Sequence, residues 1–114
     1  MLEKQLVKGS LKPIILKLLR ENGKMYGYEI TQRVEQSTGG NIKMNFGALY
    51  PILHKLENDG DVETESVIVN NRTRVYYKLT KKGNNTAVEK IKELQDYVNT
   101  ITKFLNSDYG YALS

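Results

Sequence analysis

The chain has 114 residues, a net charge of +4 and a hydrophobic fraction of 39%, which suits one domain with a modest core. It holds no cysteine and one histidine, which leaves out disulfides, thiolate metal sites, cysteine nucleophiles and multi-histidine centres. No apolar run is long enough for a bilayer, and "MLEKQLVKGS" lacks the apolar core of a signal peptide, so a cytoplasmic protein without metal, cofactor or membrane partner is expected.

The first helix signal is Ser10 followed by Leu11, Ile14, Ile15, Leu18 and Leu19, with Pro13 in the first turn, where proline is tolerated. Leu2, Leu6 and Val7 suggest an earlier turn that joins it, and Gly23 ends it. In "MYGYEITQRVEQSTGG" the residues Tyr28, Ile30, Thr31 and Val34 suit a second helix running from Tyr26, stopped by Gly39 and Gly40. Tyr28 is expected in the core. Tyr26 and Tyr50 can either pack inward or donate hydroxyl hydrogen bonds to phosphate.

Lys43 and the candidate N-cap Asn45 lead into "FGALYPILHKLENDGD". Leu49, Ile52, Leu53 and Leu56 form one apolar stripe, and Gly60 ends the helix. Pro51 falls inside, where it removes a backbone donor; a start near Gly47 puts it about one turn in, where few donors are lost. On a helical wheel the side opposite the stripe holds Gly47, Pro51, His54 and Asn58, flanked by Tyr50 and Lys55.

The period then changes from helical to alternating. "DVETESVIV" is rich in β-branched residues, Asn70-Asn71 is a turn signal, and "RTRVYYKL" alternates Val75, Tyr77 and Leu79 with Arg74, Tyr76 and Lys78. This is a β-hairpin with Arg72 and Arg74 near its tip. Thr80 caps a last helix reaching about Asn106, roughly 40 Å long. Ala87, Ile91, Leu94, Val98, Ile101 and Leu105 form a heptad seam, with Tyr97 and Phe104 beside it. Lys81 and Lys82 oppose the dipole of that helix, a cost that phosphate, water or salt would relieve.

Helix, helix, helix, hairpin, long helix is the order of a mainly α winged helix-turn-helix with an added C-terminal helix. Residues 1–79 form the expected DNA-binding domain and residues 80–114 the dimerisation helix and tail. In such a motif the second helix enters the major groove. No acid pair, nucleophile–base arrangement or phosphate-binding glycine motif supports an enzyme.

Three pieces, "YGYEI" (26–30), "GALYPILHKLENDG" (47–60) and "RVYYKLTKKG" (74–83), resemble the PadR-type transcriptional regulators in order and spacing. The single C-terminal helix looks like the smaller subgroup of that family. The resemblance implies a winged helix-turn-helix homodimer that binds double-stranded operator DNA, usually as a repressor, and that dimerises through its last helix. Some relatives bind aromatic compounds. The expected DNA-binding residues are Tyr26, Lys43, Asn45, Gly47, Tyr50, Pro51, His54, Lys55, Arg72 and Arg74. Ile91, Leu94, Val98, Ile101 and Leu105 are expected at the dimer seam. Tyr97 and Phe104 are candidate contacts for a small aromatic effector, beside the partner's Leu6 and Leu11. The alternative reading is a winged-helix protein-interaction module without specific DNA binding.

Overall fold

The computed structural model describes residues 2–107. Eight elements follow one another: α1 (Lys4–Lys8), α2 (Leu11–Asn22), β1 (Lys24–Tyr26), α3 (Gly27–Ser37), α4 (Phe46–Asn58), β2 (Val62–Val69), β3 (Arg72–Leu79) and α5 (Lys81–Asn106). The helices pack around one core whose fully buried side chains include Ile15, Leu16, Leu19, Ile30, Leu49, Leu53 and Leu56. Each comes from an apolar stripe at helical spacing, so burial of those stripes sets how α2, α3 and α4 meet.

Three local expectations change. Ser10 does not cap α2; its own backbone is helical and its hydroxyl donates to the Val7 carbonyl at 2.7 Å, so α1 stands apart as a short separate helix. The two-stranded ribbon is a three-stranded antiparallel sheet in the order β1-β3-β2. In β1, Met25 pairs with Tyr77, and both are buried. A three-residue strand is too short for an alternating pattern to register. Tyr28, expected inside, is 55% exposed. The inward stripe of α3 is Gly27, Ile30, Thr31 and Val34, and at about 100° per residue Tyr28 is turned off it.

Other expectations hold at atomic detail. The Asn45 side chain accepts from the Ala48 backbone N–H at 2.8 Å, capping α4. Asn70 and Asn71 both take positive φ, 51° and 64°, the left-handed geometry that a tight two-residue hairpin turn demands. The Thr80 hydroxyl accepts from the Gly83 N–H at 3.0 Å and caps α5.

The start of α5 is clamped to the end of α4. Asp61 is only 3% exposed. Its carboxylate accepts from the Thr86 hydroxyl at 2.7 Å, and its backbone carbonyl accepts from the Thr80 N–H at 3.0 Å. A Cβ on Gly83 would lie 1.8 Å from that same carbonyl oxygen. Glycine is therefore needed here for backbone approach.

Beyond the clamp, Ala87 is fully buried and Ile91 packs against the core. The core thus extends past residue 80, and the first turns of α5 are part of it. From Tyr97 onward the helix stands clear: Val98 is 46% exposed and Leu105 72%. No helix among the described residues is long and apolar enough to cross a membrane.

Candidate nucleic-acid interface

The geometry of α4 follows from its sequence. Leu49, Leu53 and Leu56 are buried, with Ile52 half-buried beside them. The opposite surface, Gly47, Pro51, His54 and Asn58, is exposed along the helix. Helix α4 starts at Phe46, one residue before the expected start, so Pro51 is its sixth residue. One interior hydrogen bond, to the Gly47 carbonyl, is forgone. Neither Gly47 nor Pro51 carries a side chain that projects far. The outer face is consequently low at its N-terminal half, with the His54 ring and Asn58 further along.

Two flanks border this face. On one, Phe46, Tyr50 and His54 follow each other at i, i+4 and i+8, with ring centroids 5.7 and 6.0 Å apart. Phe46 and Tyr50 of this row look onto the hairpin across a cleft of about 690 Å3, bordered by Tyr26, Tyr28, Arg72 and Arg74. Arg72 and Arg74 are thereby brought to the same cleft as the α4 N-terminus, which sequence spacing alone does not show.

Arg74 is held in place. Its guanidinium lies 4.0 Å from the Tyr26 ring centroid and donates to the Tyr76 hydroxyl at 3.4 Å. That hydrogen bond, with a smaller contribution from nearby Tyr26, raises the guanidinium pKa above its ordinary value. Tyr26 in turn meets Tyr76 edge to face at 5.5 Å. Tyr26 is therefore a half-buried platform under an arginine, and its backbone N–H donates to the Glu29 carboxylate at 3.2 Å. Arg72 is exposed and, among the described residues, forms no ion pair.

Tyr50 is half-buried because its hydroxyl rests against Gly27. A Cβ there would come within 2.5 Å of that oxygen. Gly27 thus positions Tyr50, a role the sequence signals only as one letter of "YGYEI". Phe46 and Tyr76 are likewise part of this surface, and neither is prominent in the sequence. The adjacency of Tyr76 and Tyr77 does mark one ring as outward-facing, and it is Tyr76.

The remaining expected residues are less concentrated. Asn45 is exposed, but its side-chain oxygen is committed to the cap, leaving its amide group to donate. Lys43 lies 3.7 Å from Glu35, and Lys55 donates to Asp59 at 3.1 Å, both at the surface. Such exposed pairs are worth about 0–1 kcal/mol and exchange readily for a phosphate. Lys82 is turned away, to the Asp59 carbonyl and the Asp61 carboxylate, while Lys81 is exposed.

Along α5 the stripe Tyr97, Val98, Ile101, Phe104 and Leu105 is exposed, Leu94 is half-buried, and Ile91 packs on its own core. Tyr97 lines a groove with Leu6 and Pro13 of the same chain. Phe104 does not reach that groove. Leu11 lies on the other side of α1, beside α4.

A sequence model of the Transcriptional regulator PadR-like family matches residues 15–89. A solved transcriptional regulator from Clostridium thermocellum is 27% identical, covering 90% of this chain and 99% of its own, with a TM-score of 0.80. A PadR-like transcription factor from Bacteroides fragilis is 34% identical, covering 86% and 95%, with a TM-score of 0.67. Transcriptional regulator Rv3488 of Mycobacterium tuberculosis is 28% identical over 70% of this chain and 72% of its own length.

Proposed function

The chain belongs to the PadR-like family of transcriptional regulators, and from that membership we propose that it acts as a homodimeric repressor on a roughly palindromic operator. One observation carries the DNA contact. The exposed face of α4, from Gly47 to Asn58, is bordered by a cleft holding Arg72 and Arg74. In this reading α4 enters the major groove, where His54, Lys55 and the Asn45 amide reach base edges. Gly47 and Pro51 allow close approach. Tyr26, Lys43, Tyr50, Arg72 and Arg74 meet the sugar–phosphate backbone.

The dimer forms through Leu94, Val98, Ile101 and Leu105, with Ile91 at the inner edge of the seam. An apolar stripe standing clear of its own domain is a surface that association would cover. Residues 1–79 then supply the DNA contacts and α5 the second copy. Tyr97, and Phe104 further out, remain the candidate contacts for an aromatic effector. Such a ligand would regulate only by binding one spacing of the two α4 helices better than another.

The test is selection from random oligonucleotides, followed by salt titration of the selected site. Recovery of an inverted repeat, with affinity falling steeply as salt rises, is expected. Binding that is equally weak for all sequences would instead support a protein-interaction module.

A further inference from the structure

The cleft between α4 and the hairpin is walled by Tyr26, Tyr28, Phe46 and Tyr50 on one side and by Arg72 and Arg74 on the other, and no aspartate or glutamate lines it. Tyr28 is 55% exposed and Phe46 47%. Outside α5 these are the most exposed aromatic rings among the described residues, and they come from two different helices. Arg72 and Arg74 stand two positions apart on one face of β3, about 7 Å along the strand. Neither forms an ion pair among the described residues. Arg74 commits one N–H to the Tyr76 hydroxyl and keeps the rest of its fork to donate.

Contact with a duplex leaves part of this surface idle. Duplex phosphates can use the arginines, but both faces of every base are covered by stacked neighbours, so nothing in a duplex lies flat on an aromatic ring. An unpaired base does present a free face, and such bases stack on tyrosine and phenylalanine side chains. The phosphate attached to it matches guanidinium forks, which bind phosphate oxygens in pairs. A planar carboxylate would use the rings but brings a single pair of oxygens to two forks. The cleft volume of about 690 Å3 lies within the range of pockets that enclose small ligands.

We infer that this cleft binds an unpaired nucleotide, base against the aromatic rings and phosphate against Arg72 and Arg74, and that its occupancy competes with the operator. The competition rests on the operator-binding reading above, in which Tyr50, Arg72 and Arg74 meet the duplex backbone. The site itself rests only on the rings and the arginines. A free mononucleotide and a nucleotide within a single strand carry the same two groups, a base face and a phosphate, and the experiment separates them.

The test uses the full chain with AMP, with ribose 5-phosphate as its base-free counterpart, with adenosine as its phosphate-free counterpart, and with naphthoate as a planar carboxylate. A short single strand of deoxyadenylate is compared with an abasic strand of equal charge. Binding is followed without operator, through the labelled methyl groups of Val75 in the cleft and Val34 in the core. AMP or the deoxyadenylate strand should bind tenfold or more tighter than its base-free counterpart, shifting Val75 and leaving Val34 still. Tight binding of AMP identifies a free nucleotide as sufficient, and tight binding of the strand alone identifies a strand. Tyr28→Leu/Phe46→Leu changes exposed rings, so Val34 should keep its wild-type resonance while nucleotide affinity falls tenfold or more. Arg72→Gln/Arg74→Gln should lose as much, and Lys92→Gln, outside the cleft, should lose none. Operator affinity of the wild type should fall tenfold once the cleft is saturated. Base-free ligands binding as tightly as base-bearing ones, adenosine or naphthoate matching AMP and the strand, a silent Val75, or unchanged affinity in Tyr28→Leu/Phe46→Leu overturns the site. A filled cleft with undiminished operator affinity overturns the competition. If no operator is bound at any salt, the DNA reading fails, while the methyl shifts still decide the site.

Discussion

Replacing Gly83 with alanine sets two physical effects against each other. Helix propensity favours alanine over glycine by up to about 1 kcal/mol in a helix interior, so propensity alone predicts a more stable protein. The fold predicts the opposite. The added Cβ would lie 1.8 Å from the Asp61 carbonyl oxygen and 2.7 Å from its carbon, both backbone atoms. Relief requires α5 and the Asp61 segment to separate by more than about 1 Å, against a core packed too closely to absorb it. That movement also stretches the Thr80 N–H bond to the same carbonyl and the Thr86 bond to the Asp61 carboxylate. Overpacking costs about 1–3 kcal/mol and weakening of the associated hydrogen bonds about 1 kcal/mol each. A net loss of about 3 kcal/mol is expected, lowering Tm by about 10–20 °C for a chain of this size. Thermal unfolding followed by circular dichroism, at one fixed protein concentration, measures it. A Tm equal to or above that of the wild type refutes the clamp.

Thr80→Ala should cost about 1 kcal/mol through the lost cap, and Thr80→Ser should restore most of it in the same melting assay. Val98→Glu/Ile101→Glu should convert the proposed dimer into a folded monomer by sedimentation, because both side chains are exposed within one chain; a dimer in both variant and wild type would place the interface elsewhere, and a monomeric wild type would refute it. Gly27→Ala should displace the Tyr50 hydroxyl, a movable side-chain end; operator affinity should drop several-fold with Tm nearly unchanged, and unaltered affinity would remove Tyr50 from the contact. Arg72→Ala should weaken all DNA sequences alike and flatten the salt slope by about one, whereas His54→Ala should relax preference at particular bases by about 1–3 kcal/mol; equal binding by both variants and the wild type would undo the assignment.

What the sequence made legible was whatever repeats at a fixed period. The stripe of Leu49, Leu53 and Leu56 placed α4, and the paired asparagines placed the hairpin turn, since both depend on neighbours along the chain. The cap at Asn45 was visible for the same reason. What depends on distant backbone was hidden. β1 exists because Met25 meets Tyr77, fifty-two positions later, and nothing in "KMY" announces that pairing. Gly27 and Gly83 look alike in a sequence, yet one makes room for a side chain and the other for a carbonyl. Tyr28 was grouped with Ile30, Thr31 and Val34, yet at 100° per residue it stands roughly 110° from the centre of their stripe, which Gly27 completes instead. The heptad of α5 marked an apolar stripe but not where it stops serving the chain's own core and begins to stand exposed.

That division within α5 makes the helix a mast stepped into the hull of the domain. Its foot is wedged at Gly83 and Ala87, with no slack for a swivel, while its upper turns are bare. From Gly83 to Leu105 the mast rises about 33 Å at 1.5 Å per residue. In the proposed dimer, a change of 5° in the angle at which two such masts cross would carry the domains at their feet through an arc of about 3 Å, the rise of one base pair. The distance between the two operator halves would then be recorded as a crossing angle, in residues that never touch DNA.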